Sequence, residues 1–276
     1  MNDILVGQLS ELARAFNRHG IKPIICGGLG IYLCFHNRTG EARGLIRATN
    51  DIDLMLTKSH ILDQSCAHAT AEIITGELRY VAREDCRHFR FKRIPNQELD
   101  VLAQPVDGRI IGDNRVRIVK SKLHGRLTNE AVFIHEDLQT IKLADAFPTS
   151  DVDGNLEVQV PSLTNFLILK ICAFNDRDEG VRNNIARVQT HALDIYIILM
   201  LAKRDDFKEG RNFLARHADS EQIQKVQSIV ANKFDSIDQR GWQCVLGTAG
   251  FHAGHTIEQR RKKLEDARSR LVRWFQ

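Results

Sequence analysis

The change of hydrophobic period along the chain constrains its fold most. In the first half, apolar positions alternate in short runs. His88-Phe89-Arg90-Phe91-Lys92-Arg93-Ile94 has the two-residue period of a half-buried strand. Pro95-Asn96 marks a turn, and residues 98–103 read as the returning strand of a hairpin. Residues 115–120 alternate again, and residues 22–26 and 51–56 are further compact strand candidates. Residues 3–19 place Leu5, Leu9, Leu12, Ala13 and Phe16 at helical spacing, and Gly20 supplies a stop. Short helices are expected over 29–35 and 60–75, with a loop over 36–48. After Pro161-Ser162 the period becomes helical almost to the end, with Ser162 as an N-cap for residues 163–175 and a long apolar helix over 191–202. The expected class is therefore α+β: a mixed β-sheet with flanking helices over residues 1–150, then a helical domain over 151–276.

The 276 residues suffice for one large domain or two ordinary ones. No run reaches the roughly 18 to 20 apolar residues that a membrane span needs. The first five residues lack the basic-then-apolar pattern of a secretion signal. Six cysteines (Cys26, Cys34, Cys66, Cys86, Cys172 and Cys244) form no C-x-x-C pair and mostly have apolar neighbours, as buried thiols do. Together these features predict a cytoplasmic protein with no membrane partner.

The net charge of +4 is modest, but its distribution is uneven. Residues 257–276 carry Arg260, Arg261, Lys262, Lys263, Arg268, Arg270 and Arg273 against three acids. A second basic run holds Arg79, Arg83, Arg87, His88, Arg90, Lys92 and Arg93. Such runs suit a polyanion, although many are only solvated faces, and Ile257, Leu264, Leu271 and Trp274 give the terminal helix a packing stripe.

One acidic pair stands out against this background. Asp51 and Asp53 lie one residue apart on a strand, so their carboxylates face the same way. A divalent cation would relieve their repulsion, and Mg²⁺ binds through one or two carboxylates plus substrate phosphates. Asp100, set among Leu99, Val101 and Leu102, is the candidate third carboxylate of a two-metal site, or else the partner of an arginine on the adjacent strand. Gly27-Gly28, after a short strand, would let backbone N–H groups approach phosphate oxygens closely.

Gly27-Gly28 followed by Arg47-x-Thr49-x-Asp51-x-Asp53-Leu54 resembles the signature of DNA polymerase β-type nucleotidyltransferases. More narrowly it is similar to the AbiE family, the nucleotidyltransferase half of abortive-infection and toxin–antitoxin systems. Residues 167–177, with Lys170 and Arg177, resemble that family's lysine helix, and Ala192-Leu193-Asp194-Ile195-Tyr196 resembles its aspartate motif. The likeness runs from about residue 20 to residue 200. Gly28 stands where many such enzymes have serine, and the helices after residue 205 match no motif of the family.

The resemblance implies transfer of a nucleoside monophosphate from an NTP to an acceptor hydroxyl. RNA, such as a tRNA 3′ end, is the expected acceptor, and a cognate antitoxin protein the expected partner. Asp51, Asp53 and Asp100 would hold Mg²⁺. Gly27, Gly28, Arg47, Thr49, Lys170 and Arg177 would contact the nucleotide. Lys170 and Asp194, brought to the cleft by the helical domain, would share in catalysis, unless their main role is a salt bridge with each other. The alternatives are a non-catalytic nucleotide-binding module of the same fold, or a protein or small-molecule acceptor.

Overall fold

The computed structural model describes residues 3–47, 49–84, 89–93, 97–107, 114–180 and 184–275. The predicted turn at Pro95-Asn96, together with Cys86, Arg87 and His88, lies outside them. The chain forms two compact units. One comprises residues 1–37 and 47–162, and the other residues 38–46 and 163–276.

The first unit is built on a mixed sheet. Its strands are β1 (Ile24–Ile25), β2 (Asp51–Leu56), β3 (Val81–Ala82), β4 (Arg90–Arg93), β5 (Gln97–Ala103), β6 (Arg115–Arg117), β7 (His124–Leu127), β8 (Gln139–Lys142) and β9 (Glu157–Val160). The main path runs β3-β4-β5-β2-β1-β9-β8. β2 and β5 are parallel and central, while β1 is antiparallel to β2. One edge of β5 is shared: β4 pairs with its first half and β7 with its last two residues. Residues 151–162, grouped with the helical half on sequence, supply β9, which lies parallel to β1.

Helix α1 (Asp3–Arg18) buries Leu5, Val6, Leu9, Leu12, Ala13 and Phe16, the stripe its spacing predicts. Gly20 follows with φ 70°, the left-handed turn that ends many helices. Helix α2 (Gly27–Cys34) begins at the glycine pair, two residues earlier than expected, so both glycines belong to its first turn.

The helix expected over 60–75 is divided. α3 (Lys58–Leu62) ends at Asp63, and the same residue caps α4 (Gln64–Ala71) by accepting from Cys66 N at 2.8 Å. One acid that satisfies the orphan N–H groups of a new helix also breaks the old one.

At the start of α3, the Thr57 N–H donates to His60 Nδ1 at 3.2 Å. That bond needs an unprotonated Nδ1, and burial holds His60 below the usual imidazole range. As pH falls through 6.5, the value of the unperturbed group, the unfolded chain takes up the proton before the folded chain does. This contribution is therefore complete at neutral pH and is lost in acid. From about pH 8 to about pH 5 the urea midpoint of the wild type should fall more than that of His60→Gln, whose amide oxygen can accept the same N–H without titrating. Parallel pH profiles would remove His60 from this role.

The second unit is helical: α6 (Leu163–Asp178), α7 (Ile185–Leu201), α8 (Arg204–Arg216), α9 (Glu221–Lys233), α10 (Arg240–Leu246) and α11 (Ile257–Phe275), after the short α5 (Leu143–Ala146) of the first unit. A 3₁₀ turn, Glu41–Leu45, joins it from within the expected loop. Trp242 and Trp274 are fully buried, with their indole N–H groups donating to Phe234 O at 2.8 Å and Thr164 Oγ1 at 3.2 Å. Satisfying the polar tip of each ring lets it enter the core at little cost. Among the described residues, no single helix is long and apolar enough to cross a membrane. The five described cysteines are unbridged, and four of them are buried.

Candidate functional site

The pairing register of the three strands β4, β5 and β2 builds an acidic face in the first unit. Asp53 lies opposite Asp100 and Asp51 opposite Glu98 across the parallel β2–β5 pair. Arg90 lies opposite Asp100 and Lys92 opposite Glu98 across the antiparallel β4–β5 pair. Residues directly opposite one another share a face. Two rows result, Arg90–Asp100–Asp53 and Lys92–Glu98–Asp51, each with one cation and two carboxylates. Glu98 is a member that the sequence reading missed. Glu98-x-Asp100 repeats the spacing of Asp51-x-Asp53 on the adjacent strand, and that repeat was the available signal.

Asp100 is buried, and Arg90 holds it in a two-point contact: Nε to Oδ1 at 2.6 Å and a terminal nitrogen to Oδ2 at 2.5 Å. Of the two sequence readings, the arginine pairing is the one the side chains make. Glu98 accepts from Arg83 at 2.9 Å. Asp51 accepts a hydrogen bond from the buried Thr49 hydroxyl. Among the described residues, Asp51, Asp53 and Asp100 do not converge as a set of three metal-ligand groups.

The glycine pair is tied to the same face. Cys26 N donates to Asp53 O at 2.8 Å, which fixes the entry to α2 against β2. Gly27 has φ 63°, and a Cβ there would overlap the Asp53 carboxylate. The carboxylate thus fills the space that a side chain at residue 27 would need, beside the N-terminal end of α2. A Cβ at Gly28 would stand 3.3 Å from the Arg47 guanidinium and 3.6 Å from Thr49 Cβ, so Arg47 and Thr49 flank the same turn. Six residues singled out on sequence (Gly27, Gly28, Arg47, Thr49, Asp51 and Asp53) are therefore neighbours, and Asp100 adjoins them through its register with Asp53.

Gly27→Ala should cost about 1–2 kcal/mol of stability from the left-handed backbone alone, read as a lower urea midpoint. It should also push the Asp53 carboxylate out of place. An unchanged midpoint would show that the turn relaxes freely.

No family model, curated protein or solved structure matches this chain.

The other expected site residues belong to the second unit. Lys170 on α6 and Asp194 on α7 form a buried ion pair with Nζ to Oδ2 at 2.6 Å. Arg177, two turns beyond Lys170, is exposed.

The basic runs are largely engaged within their own units. On α11, Arg260 donates to three backbone carbonyls, while Arg261, Lys263, Arg268 and Arg270 contact Asp238, Glu41, Glu265 and Asp266. Arg273 lies over the Phe207 ring at 4.7 Å. In the other run, Arg93 bonds to Gln97 and stacks on Tyr80. An open hollow of about 500 Å³ is nevertheless lined by Arg211, Arg268, Ser269, Val272 and Arg273.

Proposed function

We propose that the chain is a Mg²⁺-dependent nucleotidyltransferase that moves a nucleoside monophosphate from an NTP to an acceptor hydroxyl. The observation that carries this reading is the acidic face set against the glycine start of α2. On the three strands β4, β5 and β2, four carboxylates meet two cations in register. Asp51 and Asp53, two carboxylates on one face of β2, are the oxygen donor set that hard divalent cations prefer. The residues fit Mg²⁺, with Asp51 and Asp53 as its holders and Asp100 beside them.

When bound there, Mg²⁺ would offset the charge of the carboxylates and of the triphosphate. The first N–H groups of α2 have no acceptor within the helix and no side-chain cap at Cys26, an arrangement that suits phosphate oxygens. Arg47 adds a guanidinium at the same turn, suited to two-point contact with phosphate. The acceptor oxygen forms a bond to the α-phosphorus, the bond to the bridging oxygen breaks, and pyrophosphate leaves. The hydroxyl proton passes to a carboxylate of this face. Asp100 is suited to take it, because each of its oxygens keeps a lone pair beyond its bond from Arg90.

The acceptor we favour is RNA. The arginines of the hollow lined by Arg211, Arg268 and Arg273 suit a phosphate backbone. The AbiE-like motif order supports a role as the toxin of a toxin–antitoxin or phage-defence pair. The test is incubation with each labelled NTP, Mg²⁺ and total cellular RNA or protein, beside the Asp51→Ala/Asp53→Ala variant. Label in RNA that disappears in the variant supports the reading. Label in protein moves the acceptor, and Mg²⁺-independent NTP binding without transfer replaces the enzyme with a binding module.

A further inference from the structure

A second cluster of metal-type ligands lies wholly within the helical unit. Glu41, His252 and His255 each offer one ligand atom, and these atoms lie within 4.8 Å of one another. Glu41 Oε2 stands 3.8 Å from His252 Nδ1 and 3.9 Å from His255 Nε2. Ligands on a tetrahedral ion with bonds of 2.0–2.1 Å are about 3.3 Å apart. The two edges that meet at Glu41 are therefore about half an ångström longer than in that geometry.

The surroundings hold the two imidazoles for this purpose. His252-Ala253-Gly254-His255 is a turn between α10 and α11. Arg260 donates to the carbonyls of His252, Ala253 and His255, all at 3.1 Å, and so fixes the turn from the first turns of α11. His252 has φ 43°, a left-handed conformation uncommon outside glycine. Its ring is buried, and its Nε2 meets the Tyr196 hydroxyl at 2.9 Å. A partner on the far nitrogen of a ligand histidine fixes the tautomer and aims the other nitrogen outward. His255 and Glu41 are more open, leaving a route for an ion to enter.

We propose that Glu41, His252 and His255 bind a divalent ion of the Zn²⁺ class, in a site separate from the acidic face and independent of the function assigned to it. Two imidazoles and one carboxylate suit Zn²⁺ far better than Mg²⁺. Lys263 Nζ stands 2.5 Å from Glu41 Oε2, so the ion exchanges with an ammonium group already on this carboxylate. The fourth position is left to water or an exogenous ligand. Bound there, the ion would tie the segment around Glu41, which precedes β2 in sequence, to the turn before α11.

The competing reading is a plain Glu41–Lys263 ion pair flanked by histidines, and Lys263 separates the two. The full chain, stripped with chelator, is titrated with Zn²⁺ alone by calorimetry, and its thermal midpoint is followed in parallel. One ion should bind per chain and raise the midpoint. His255→Ala and Glu41→Gln, both at accessible positions, should each weaken binding by at least about tenfold while keeping the wild-type circular dichroism. Tyr196→Phe should weaken it by about 10- to 100-fold as an outer partner, and Lys263→Met should tighten it by removing the competing cation. Co²⁺ in place of Zn²⁺ should give the visible spectrum of a four-coordinate nitrogen–oxygen site. The proposal is overturned if the wild type binds no stoichiometric Zn²⁺, if His255→Ala and Glu41→Gln bind as the wild type does, or if Lys263→Met leaves the affinity unchanged.

Discussion

Asp53→Asn should cut Mg²⁺-dependent nucleotidyl transfer by about 10²–10³-fold, the usual cost of losing one group that stabilises transition-state charge, while leaving the fold intact. The amide is isosteric with the carboxylate, so the space beside Gly27 stays filled and β2 keeps its register with β5. What is lost is one negative charge from the Arg90–Asp100–Asp53 row, and with it one of the two carboxylates that would hold the ion. Asp51→Asn should do the same, although it also gives up the charge that the Thr49 hydroxyl serves. The double variant should be little worse than either single, because groups that hold one ion fail as a unit. Label incorporation at fixed NTP, read beside circular dichroism, is the measurement. Wild-type transfer by Asp53→Asn would remove the acidic face from the chemistry.

Part of this site could be read from the residue order, because strand geometry is local. Alternation puts Asp51 and Asp53 on one face whatever β2 pairs with. That Asp100 would stand opposite Asp53, and Glu98 opposite Asp51, depends on the β2–β5 register, which carries no local mark. Arg90 taking both oxygens of Asp100 follows from β4 as a neighbour and was visible only as one of two alternatives. β9 was missed because Glu157-Val158-Gln159-Val160 is four residues long and stands beside a helical half that dominates the pattern. The His252–His255 turn escaped for a different reason. Its third ligand, Glu41, is more than two hundred residues away in sequence, in a segment that reads as loop. The helical period after Ser162, by contrast, was plain, since long amphipathic stretches repeat their signal many times.

Removing one partner of the Lys170–Asp194 pair should destabilise the chain by about 3–5 kcal/mol, whereas replacing both should cost little. The two side chains are 8% and 3% exposed, so neither charge can turn to water when its partner is lost. Asp194 sits between Leu193 and Ile195 on α7, where most neighbours are apolar and buried. Asp194→Leu leaves an ammonium in that setting, and Lys170→Met leaves a carboxylate. In the double variant, two apolar side chains of similar volume fill the same space, with no charge left to desolvate. Urea unfolding of the four species measures the coupling directly. Additive losses would show that the pair is solvated in solution and contributes little. The double variant also separates stability from chemistry, because its fold is intact while its ammonium is gone. Retained nucleotidyl transfer confines the pair to holding α6 against α7. Lost transfer in a fully folded double variant gives Lys170 the nucleotide contact that the motif resemblance implies, with Asp194 as the group that holds its ammonium in place.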